Sequence, residues 1–192
     1  MTHFEKSFPD MSHKFVDDGR IEMLHTVGRG GWGVVYRARE IVNGKAEDIA
    51  VKVIVKPSKN SSRASYLRRE IDHHRRMSSH PHVVTLRRVF SDACFLYIVL
   101  DYIPGGDMWR AIQDRAIYAR NDDLVRSVFM QLIDVVEACH KEGIYHRDIK
   151  PSNILVSPDG TQVYLADFGL STAERVSAKF HVGTASYESP GK

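Results

Sequence analysis

The sequence predicts an α+β fold with two lobes, and three observations support this prediction. Short apolar runs rich in β-branched residues recur between positions 24 and 100, which is typical of strands. A Pro- and Gly-containing break at 101–106 follows these runs. Apolar residues between 124 and 139 then recur at helical spacing. We therefore expect a strand-rich first lobe and a mainly helical second lobe.

The chain divides accordingly into four predicted segments. Residues 1–20 are polar with scattered aromatics and form a loosely attached extension, and residues 21–100 form the first lobe. Residues 101–106 are the hinge segment between the lobes. Residues 107–192 form the second lobe.

The first lobe is predicted to hold five antiparallel strands and one helix. Leu67, Ile71 and His74 give the helix its apolar spacing, and Pro57 breaks the chain before it. In the second lobe, Asp122 or Asp123 is expected to cap a long helix that ends near 143. The five strands lie near 24–27, 34–36, 47–55, 83–86 and 95–100.

Composition excludes several classes of protein. Of the 192 residues 43% are hydrophobic and 27% charged, which is ordinary for a globular domain. A net charge of +3 gives no argument for nucleic-acid binding, and two cysteines give no disulfide framework. The longest apolar run, 94–100, is far shorter than the roughly 20 residues that a membrane span needs. We expect an intracellular protein of the cytoplasm or nucleus, with no signal peptide and an undetermined oligomeric state.

A glycine cluster at 28–33 indicates phosphate binding. The spacing Gly28-x-Gly30-x-x-Gly33 occurs both in dinucleotide-binding proteins and in nucleotide-binding hairpins. The dinucleotide motif must open a helix, whereas residues 34–36 continue as a strand, and Val35 stands two positions past the last glycine. A dehydrogenase is therefore a poor alternative.

A lysine interrupts the apolar strand 47–55. Because burying an unpaired ammonium group is costly, Lys52 should have an anionic partner. Glu70, on the following helix, is the candidate, and a plain surface glutamate is the alternative reading.

The most informative stretch is Tyr145-His146-Arg147-Asp148-Ile149-Lys150-Pro151-Ser152-Asn153, followed by Asp167-Phe168-Gly169. Short apolar runs at 154–156 and 163–166 predict two strands between these two motifs. Together with the glycine cluster, this pattern resembles the eukaryotic protein kinases. The resemblance extends from about 21 to 190 and implies a bilobal kinase fold, in which residues 107–192 are only part of the second lobe.

The resemblance implies an ATP site and a magnesium site. Asn153 and Asp167 would bind Mg²⁺, Lys52 would hold the ATP phosphates with Glu70 as its partner, and Leu100 would be the gatekeeper behind the adenine. The residues expected to contact ATP are Gly28, Arg29, Gly30, Gly31, Trp32, Gly33, Val35, Ala50, Lys52, Leu100, Asp101, Ile103, Asp107 and Leu155.

The same resemblance implies a serine/threonine protein kinase acting on protein hydroxyl groups. Asp148 would accept the hydroxyl proton, and Lys150 would neutralise the transferred phosphate. Lys150 and Gly183-Thr184 are both typical of the serine/threonine class. The usual activating phosphosite falls on Phe180, so we expect activity without phosphorylation there, with Ser177 as a nearby alternative.

The sequence departs from the kinase pattern at its end. Ser189-Pro190 is followed by Gly191 instead of glutamate, and the sequence ends at Lys192, after the activation segment. From this truncation we expect marginal stability and weak activity, and a fragment, a truncated gene model and a splice product all remain open. A non-catalytic pseudokinase or scaffold is the alternative function. The run 80–86 is similar to fungal regulatory kinases.

Overall fold

The structure is a computed structural model that describes residues 8–30, 33–175 and 182–187. The chain forms two compact units, one drawn from Met1–Pro57 and Leu86–Tyr102, the other from Ser58–Thr85 and Ile103–Lys192. The α+β fold class, with an antiparallel sheet, one helix early in the chain and further helices after it, is confirmed. The lobe boundaries 21–100 and 107–192 stay predictions, because the early helix groups with the second unit.

An antiparallel sheet with the strand order β1-β2-β3-β4-β6-β5 forms the first unit. Alternation explains its core: Val34, Tyr36 and Ala38 are buried on one face of β3, while their neighbours are partly exposed. A two-residue strand, β1, adds to the five that the sequence predicts. The bounds are β1 Phe15–Val16, β2 Ile21–Gly30, β3 Gly33–Val42, β4 Lys45–Val55, β5 Leu86–Ser91 and β6 Phe95–Asp101.

The position of β5 corrects one prediction. The apolar run 83–86 was expected to be the strand, yet the strand begins at Leu86 and runs through Arg87 and Arg88. A search for apolar residues misses this strand, because two of its residues are adjacent arginines. The strand is stable here because each guanidinium binds carboxylates of the same unit. Val83 instead pairs with Leu165 in the second unit.

The described part of the N-terminal extension packs against the sheet, so the expectation of a loose attachment is wrong. Met11 is 6% exposed and belongs to the core of the first unit. Its N–H donates to Tyr36 Oη at 3.3 Å, and the His13 N–H donates to the Met23 carbonyl at 2.7 Å. Asp17 accepts a hydrogen bond from Arg88 Nη2 at 2.8 Å.

The Arg88 guanidinium joins this extension to the sheet by also binding Glu40. The side chains of Asp17 and Glu40 are only 10% and 8% exposed. Loss of the arginine would leave two nearly buried carboxylates without their shared counterion, which is costly.

We expect Arg88→Ala to lower the free energy of unfolding by roughly 1–3 kcal/mol and the Tm by roughly 3–10 °C. The matched control is Arg20→Ala, because the Arg20 side chain also binds Asp17 but is 61% exposed. Thermal denaturation followed by circular dichroism measures both. Equal, small shifts for the two variants would show that the cluster contributes no specific stability.

Among the described residues, the second unit holds three α-helices and a two-stranded hairpin. Ser61 Oγ caps the first helix by accepting the Ala64 N–H at 3.2 Å. Asn121, not the predicted Asp122 or Asp123, caps the third helix, and its Oδ1 accepts the Leu124 N–H at 3.1 Å. The elements are α1 Ser62–Met77, α2 Met108–Gln113, α3 Asp122–Lys141, β7 Ile154–Val156 and β8 Val163–Leu165.

Helix α3 contributes one buried face to the core of the second unit. Val128, Val135 and Cys139 are buried there, in one cluster with Ile144 and with Ile154 of the hairpin. Phe129 and Val125 of the same helix lie outside this face and are 61% and 46% exposed. Among the described residues, no helix combines the length and apolar character that crossing a membrane requires.

Candidate functional site

A carboxylate surrounded by three hydrogen-bond donors is the centre of the second unit's polar site. Asp148 is 9% exposed. Its Oδ2 accepts hydrogen bonds from Lys150 Nζ and Asn153 Nδ2, both at 2.8 Å. Its Oδ1 accepts one from Thr184 Oγ1 at 2.8 Å, and that hydroxyl accepts one from Lys150 Nζ at 2.6 Å. Hydrogen bonds among these four polar side chains therefore connect the loop 148–153 to Thr184.

The donors hold Asp148 in its ionised form. Burial raises the pKa of this carboxyl, but hydrogen bonds from Lys150, Thr184 and Asn153 outweigh it, and the net pKa lies below the ordinary 3.8. A depressed pKa means that the network stabilises the fold above the unfolded-state pKa. That contribution is lost as the pH falls through the folded-state pKa, so it is fully present at neutral pH.

Gly183 allows residue 184 to reach the loop. Its φ is +122°, and an added Cβ would lie 2.6 Å from the Arg147 carbonyl oxygen. Any other residue would therefore be strained here and would collide with backbone. The glycine before Thr184 is thus a structural requirement of the Asp148 network.

Asn153 and Asp167 flank the same end of the β7–β8 hairpin. Ile154 pairs with Leu165, and the Ala166 N–H donates to the Asn153 carbonyl at 2.9 Å. The Asn153 amide nitrogen donates twice to Asp148, which leaves its Oδ1 as the acceptor end of the amide. Asp167 is exposed and adopts a left-handed φ of +61°. Two hard oxygen donors at one hairpin end suit Mg²⁺.

Glu70 of α1 lies near this hairpin end. It is 8% exposed, and a Cβ added at Gly169 would lie 3.5 Å from Glu70 Oε2 and 3.2 Å from Asp167 Oδ1. The glycine thus keeps a narrow space between the two carboxylates.

Three aromatic rings connect α1, the stretch 145–153 and the residue after Asp167. His74 stacks on Phe168 with ring centroids 5.0 Å apart. His146 contacts the same Phe168 ring edge-on, also with a centroid distance of 5.0 Å. His74 Nε2–H donates to the Val84 carbonyl at 2.6 Å, and His146 Nε2–H donates to the Ala166 carbonyl at 3.0 Å. Burial lowers the pKa of His146, so it is a neutral ring packed in the core.

In the first unit, the glycine cluster lies at the β2–β3 hairpin. Gly30 pairs with Gly33, and Gly28 pairs with Val35. A Cβ at Gly33 would lie 2.3 Å from the Val53 carbonyl oxygen, so the close approach of β4 requires glycine there. Around Gly30 the space is open, and Gly28 has only ordinary contacts, so packing within the described chain does not account for these two glycines. Arg29 is exposed on β2.

The sheet residues that are predicted to bind the nucleotide lie on neighbouring strands, at positions that pair with one another. Lys52 pairs with Val35 on one side and Ile98 on the other. Two positions earlier, Ala50 pairs with Leu100. Residues at i and i+2 point to the same face of a strand, so Ala50 and Lys52 share one face of the sheet.

The other predicted nucleotide residues lie around the hinge segment. Asp101 ends β6, and Leu155 lies in β7, where it makes an isolated bridge with Asp107. Asp107 also caps α2, and its Oδ1 accepts the Arg110 N–H at 2.8 Å. Ile103 is half-buried.

Some predicted positions fall outside the described residues. Gly31 and Trp32 of the glycine cluster, and Ser177 and Phe180 of the activation segment, belong to this group. Within the second unit the structure brings together Asp148, Lys150 and Asn153, and separately places Glu70 near Asp167. Within the first unit it aligns Val35, Ala50 and Lys52.

The site also contains contacts that sequence reasoning did not find. His73 Nδ1 and Ser171 Oγ lie 2.8 Å apart, which links α1 to the residues after Gly169. Arg147 adopts a left-handed φ of +66°, and its Nε donates to the Leu170 carbonyl at 2.8 Å. No local pattern predicts such contacts, because their partners are 23 to 98 positions apart.

Comparison with known proteins identifies the family to which this arrangement of elements and polar groups belongs. The model of the family described as "Protein kinase domain" matches residues 21–191. The chain belongs to the protein kinase family, as its motifs predicted.

The relatives include serine/threonine kinases and a fungal regulator. A Schizosaccharomyces pombe protein described as "Negative regulator of sexual conjugation and meiosis" is 44% identical over 88% of this chain and 36% of its own length. The Arabidopsis thaliana "CBL-interacting serine/threonine-protein kinase 19" is 33% identical over 97% of this chain and 38% of its own length. The chain therefore spans well under half the length of these relatives.

We expect Thr184→Val to raise the pKa of Asp148, because it removes the hydroxyl that donates to Oδ1. Thr184→Ser is the matched control and should leave the pKa near that of the parent chain. Carboxyl ¹³C NMR titration measures both. An unchanged pKa in the valine variant would contradict the role of this hydrogen bond.

Proposed function

We propose that this chain carries the catalytic machinery of an ATP-dependent serine/threonine protein kinase, which transfers the γ-phosphate to protein hydroxyl groups. The observation that carries the proposal is the Asp148 carboxylate, ionised and held by Lys150, Asn153 and Thr184. Membership of the protein kinase family and the serine/threonine kinases among its relatives support it.

In the proposed reaction, the hydroxyl oxygen of the substrate attacks the γ-phosphorus of ATP. The new O–P bond forms as the bond between the γ-phosphorus and the β–γ bridging oxygen breaks, and ADP leaves. Asp148 orients the hydroxyl and accepts its proton. Lys150, hydrogen-bonded to both Asp148 and Thr184, supplies positive charge beside the incoming phosphate.

Two residues fit a magnesium ion. The Asp167 carboxylate and the Asn153 amide oxygen are hard donors at the same end of the hairpin. When bound, Mg²⁺ would neutralise charge on the phosphate oxygens. The role of the chain itself is to hold these two donors next to the loop that carries Asp148.

The sheet of the first unit supplies the proposed nucleotide contacts. Lys52 would hold the α- and β-phosphates, with Glu70 as its ionic partner. Open space at Gly30 leaves room for phosphate oxygens to approach backbone N–H groups. The small side chain of Ala50 would make room for the adenine, because a larger side chain would fill that position.

The substrate class follows from the lysine two residues after Asp148. Its hydrogen bond to Thr184 gives the loop the pairing that is typical of serine/threonine kinases. We therefore propose a protein substrate with a serine or threonine acceptor.

The decisive variant is Asp148→Asn, assayed by transfer of ³²P from ATP to serine, threonine and tyrosine peptides. We expect transfer to serine or threonine to fall by about 10²–10⁴-fold, because the amide cannot accept the proton. Asp123→Asn, an equal charge change at an exposed position of α3, should retain the parent rate.

ATP affinity, measured in parallel by calorimetry, separates the alternatives. The proposal predicts that the parent chain binds Mg-ATP and that Asp148→Asn keeps this binding. ATP binding with no transfer by the parent chain would favour a non-catalytic, nucleotide-binding pseudokinase. Absence of ATP binding would refute the proposal.

A further inference from the structure

An arginine holds the side chain of the first hinge residue. Arg87 Nε donates to Asp101 Oδ1 at 2.6 Å, and Arg87 Nη1 donates to Glu47 Oε2 at 3.0 Å. Arg87 therefore bridges the end of β6 to β4, two strands that are already paired through Ile49 and Asp101.

A β-bulge in β5 sets the direction of the Arg87 side chain. Leu86 pairs with Leu100, but the next pair is Arg88 with Val99, so Arg87 is an extra residue opposite one step of β6. An extra residue in a strand redirects its side chain and increases the local twist. Here the redirected guanidinium reaches past Leu100 to Asp101.

A second arginine holds the next hinge residue in a similar way. The guanidinium of Arg37 lies over the Tyr102 ring, 5.0 Å from its centroid. Its Nη2 donates to Asp48 Oδ2 at 2.5 Å. The two relays, Glu47–Arg87–Asp101 and Asp48–Arg37–Tyr102, therefore begin at neighbouring residues of β4 and end at neighbouring residues of the hinge segment.

We propose that Arg87 and Arg37 are positioning residues that fix the backbone at Asp101 and Tyr102 for recognition of the adenine edge. The proposal rests on the proposed function, and it takes the adenine edge to bind the backbone at Asp101 and Ile103, which flank Tyr102 and are among the residues expected to contact ATP. Two contacts of different chemistry, an ion pair and a cation–π contact, converge on consecutive residues.

Removing the arginines should weaken nucleotide binding only modestly, and mainly through the contacts to the base. The side chains of Arg87 and Asp101 are 33% and 34% exposed, and ion pairs of that exposure contribute little individually. Removing both arginines should loosen the segment without unfolding the sheet. Nucleotide affinity should fall, and the preference for adenine over guanine should narrow.

The first measurement needs no nucleotide. Amide hydrogen exchange of the free chain should be about three- to ten-fold faster at residues 101–102 in the double variant Arg37→Ala, Arg87→Ala. Arg39→Ala, an exposed arginine on the same strand as Arg37, is the matched control and should leave this exchange unchanged. Glu47→Gln with Asp48→Asn provides a second variant, which releases the arginines from the other side and should act in the same direction.

The second measurement uses calorimetry with Mg-ATP and Mg-GTP. The double variant should bind ATP about three- to ten-fold more weakly, with a smaller loss for GTP, and Arg39→Ala should bind both like the parent. A thermal scan of each variant separates positioning from general destabilisation, which would speed exchange throughout the sheet.

The outcomes distinguish this proposal from the proposed function. Unchanged exchange at 101–102 in both variants overturns the positioning role, even where the parent chain binds ATP. Faster exchange with equal losses for ATP and GTP overturns the role in base recognition. A parent chain that binds no ATP refutes the proposed function, and exchange still decides whether the relays fix the segment.

Discussion

The pairing of the Asp148 carboxylate with Lys150, Thr184 and Asn153 is the interaction on which the rest of the site depends. A carboxylate that is 9% exposed is costly unless donors replace the lost water. These donors come from the loop itself and from a residue 36 positions away. Because one charge gathers all of them, the loop has a defined conformation, and its neighbours Arg147 and Gly183 adopt positive φ values around it.

The second unit builds outward from that loop. The β7–β8 hairpin follows it directly and places Asn153 and Asp167 at one end, while α3 packs beneath it through Val135 and Cys139. The first unit is built around a different constraint, the register of β4 between β3 and β6. That register aligns Lys52 with Val35 and Ala50 with Leu100, and it also sets the starting points of both arginine relays.

Much of the fold could be predicted because its signals are local. The strands of the hairpins and the helices α1 and α3 follow from apolar alternation and helical spacing. Prediction failed where long-range charge pairing decided the structure. Arg87 and Arg88 concealed β5, since a strand with two arginines is stable only when carboxylates from other strands meet them. The extension 8–20 looked loose because its polar composition hides the burial of Met11 and the ion pair of Asp17.

In the candidate site, too, the residues in sequence motifs could be predicted and the long-range contacts could not. The order of its motifs identified the protein kinase family, and the residues that meet in space at Asp148 were named from that resemblance. The contacts that hold the hinge segment carried no sequence signal, because their geometry depends on a bulge and on two separate strands.

The proposed function requires that Asp167 and Asn153 hold a divalent ion that accompanies a nucleotide. Electron paramagnetic resonance of Mn²⁺, titrated into the chain with a non-hydrolysable ATP analogue, tests it most directly. The account predicts a bound Mn²⁺ signal that requires the nucleotide and is lost in Asp167→Ala and weakened in Asn153→Ala. Retention of the full signal in both variants would contradict it.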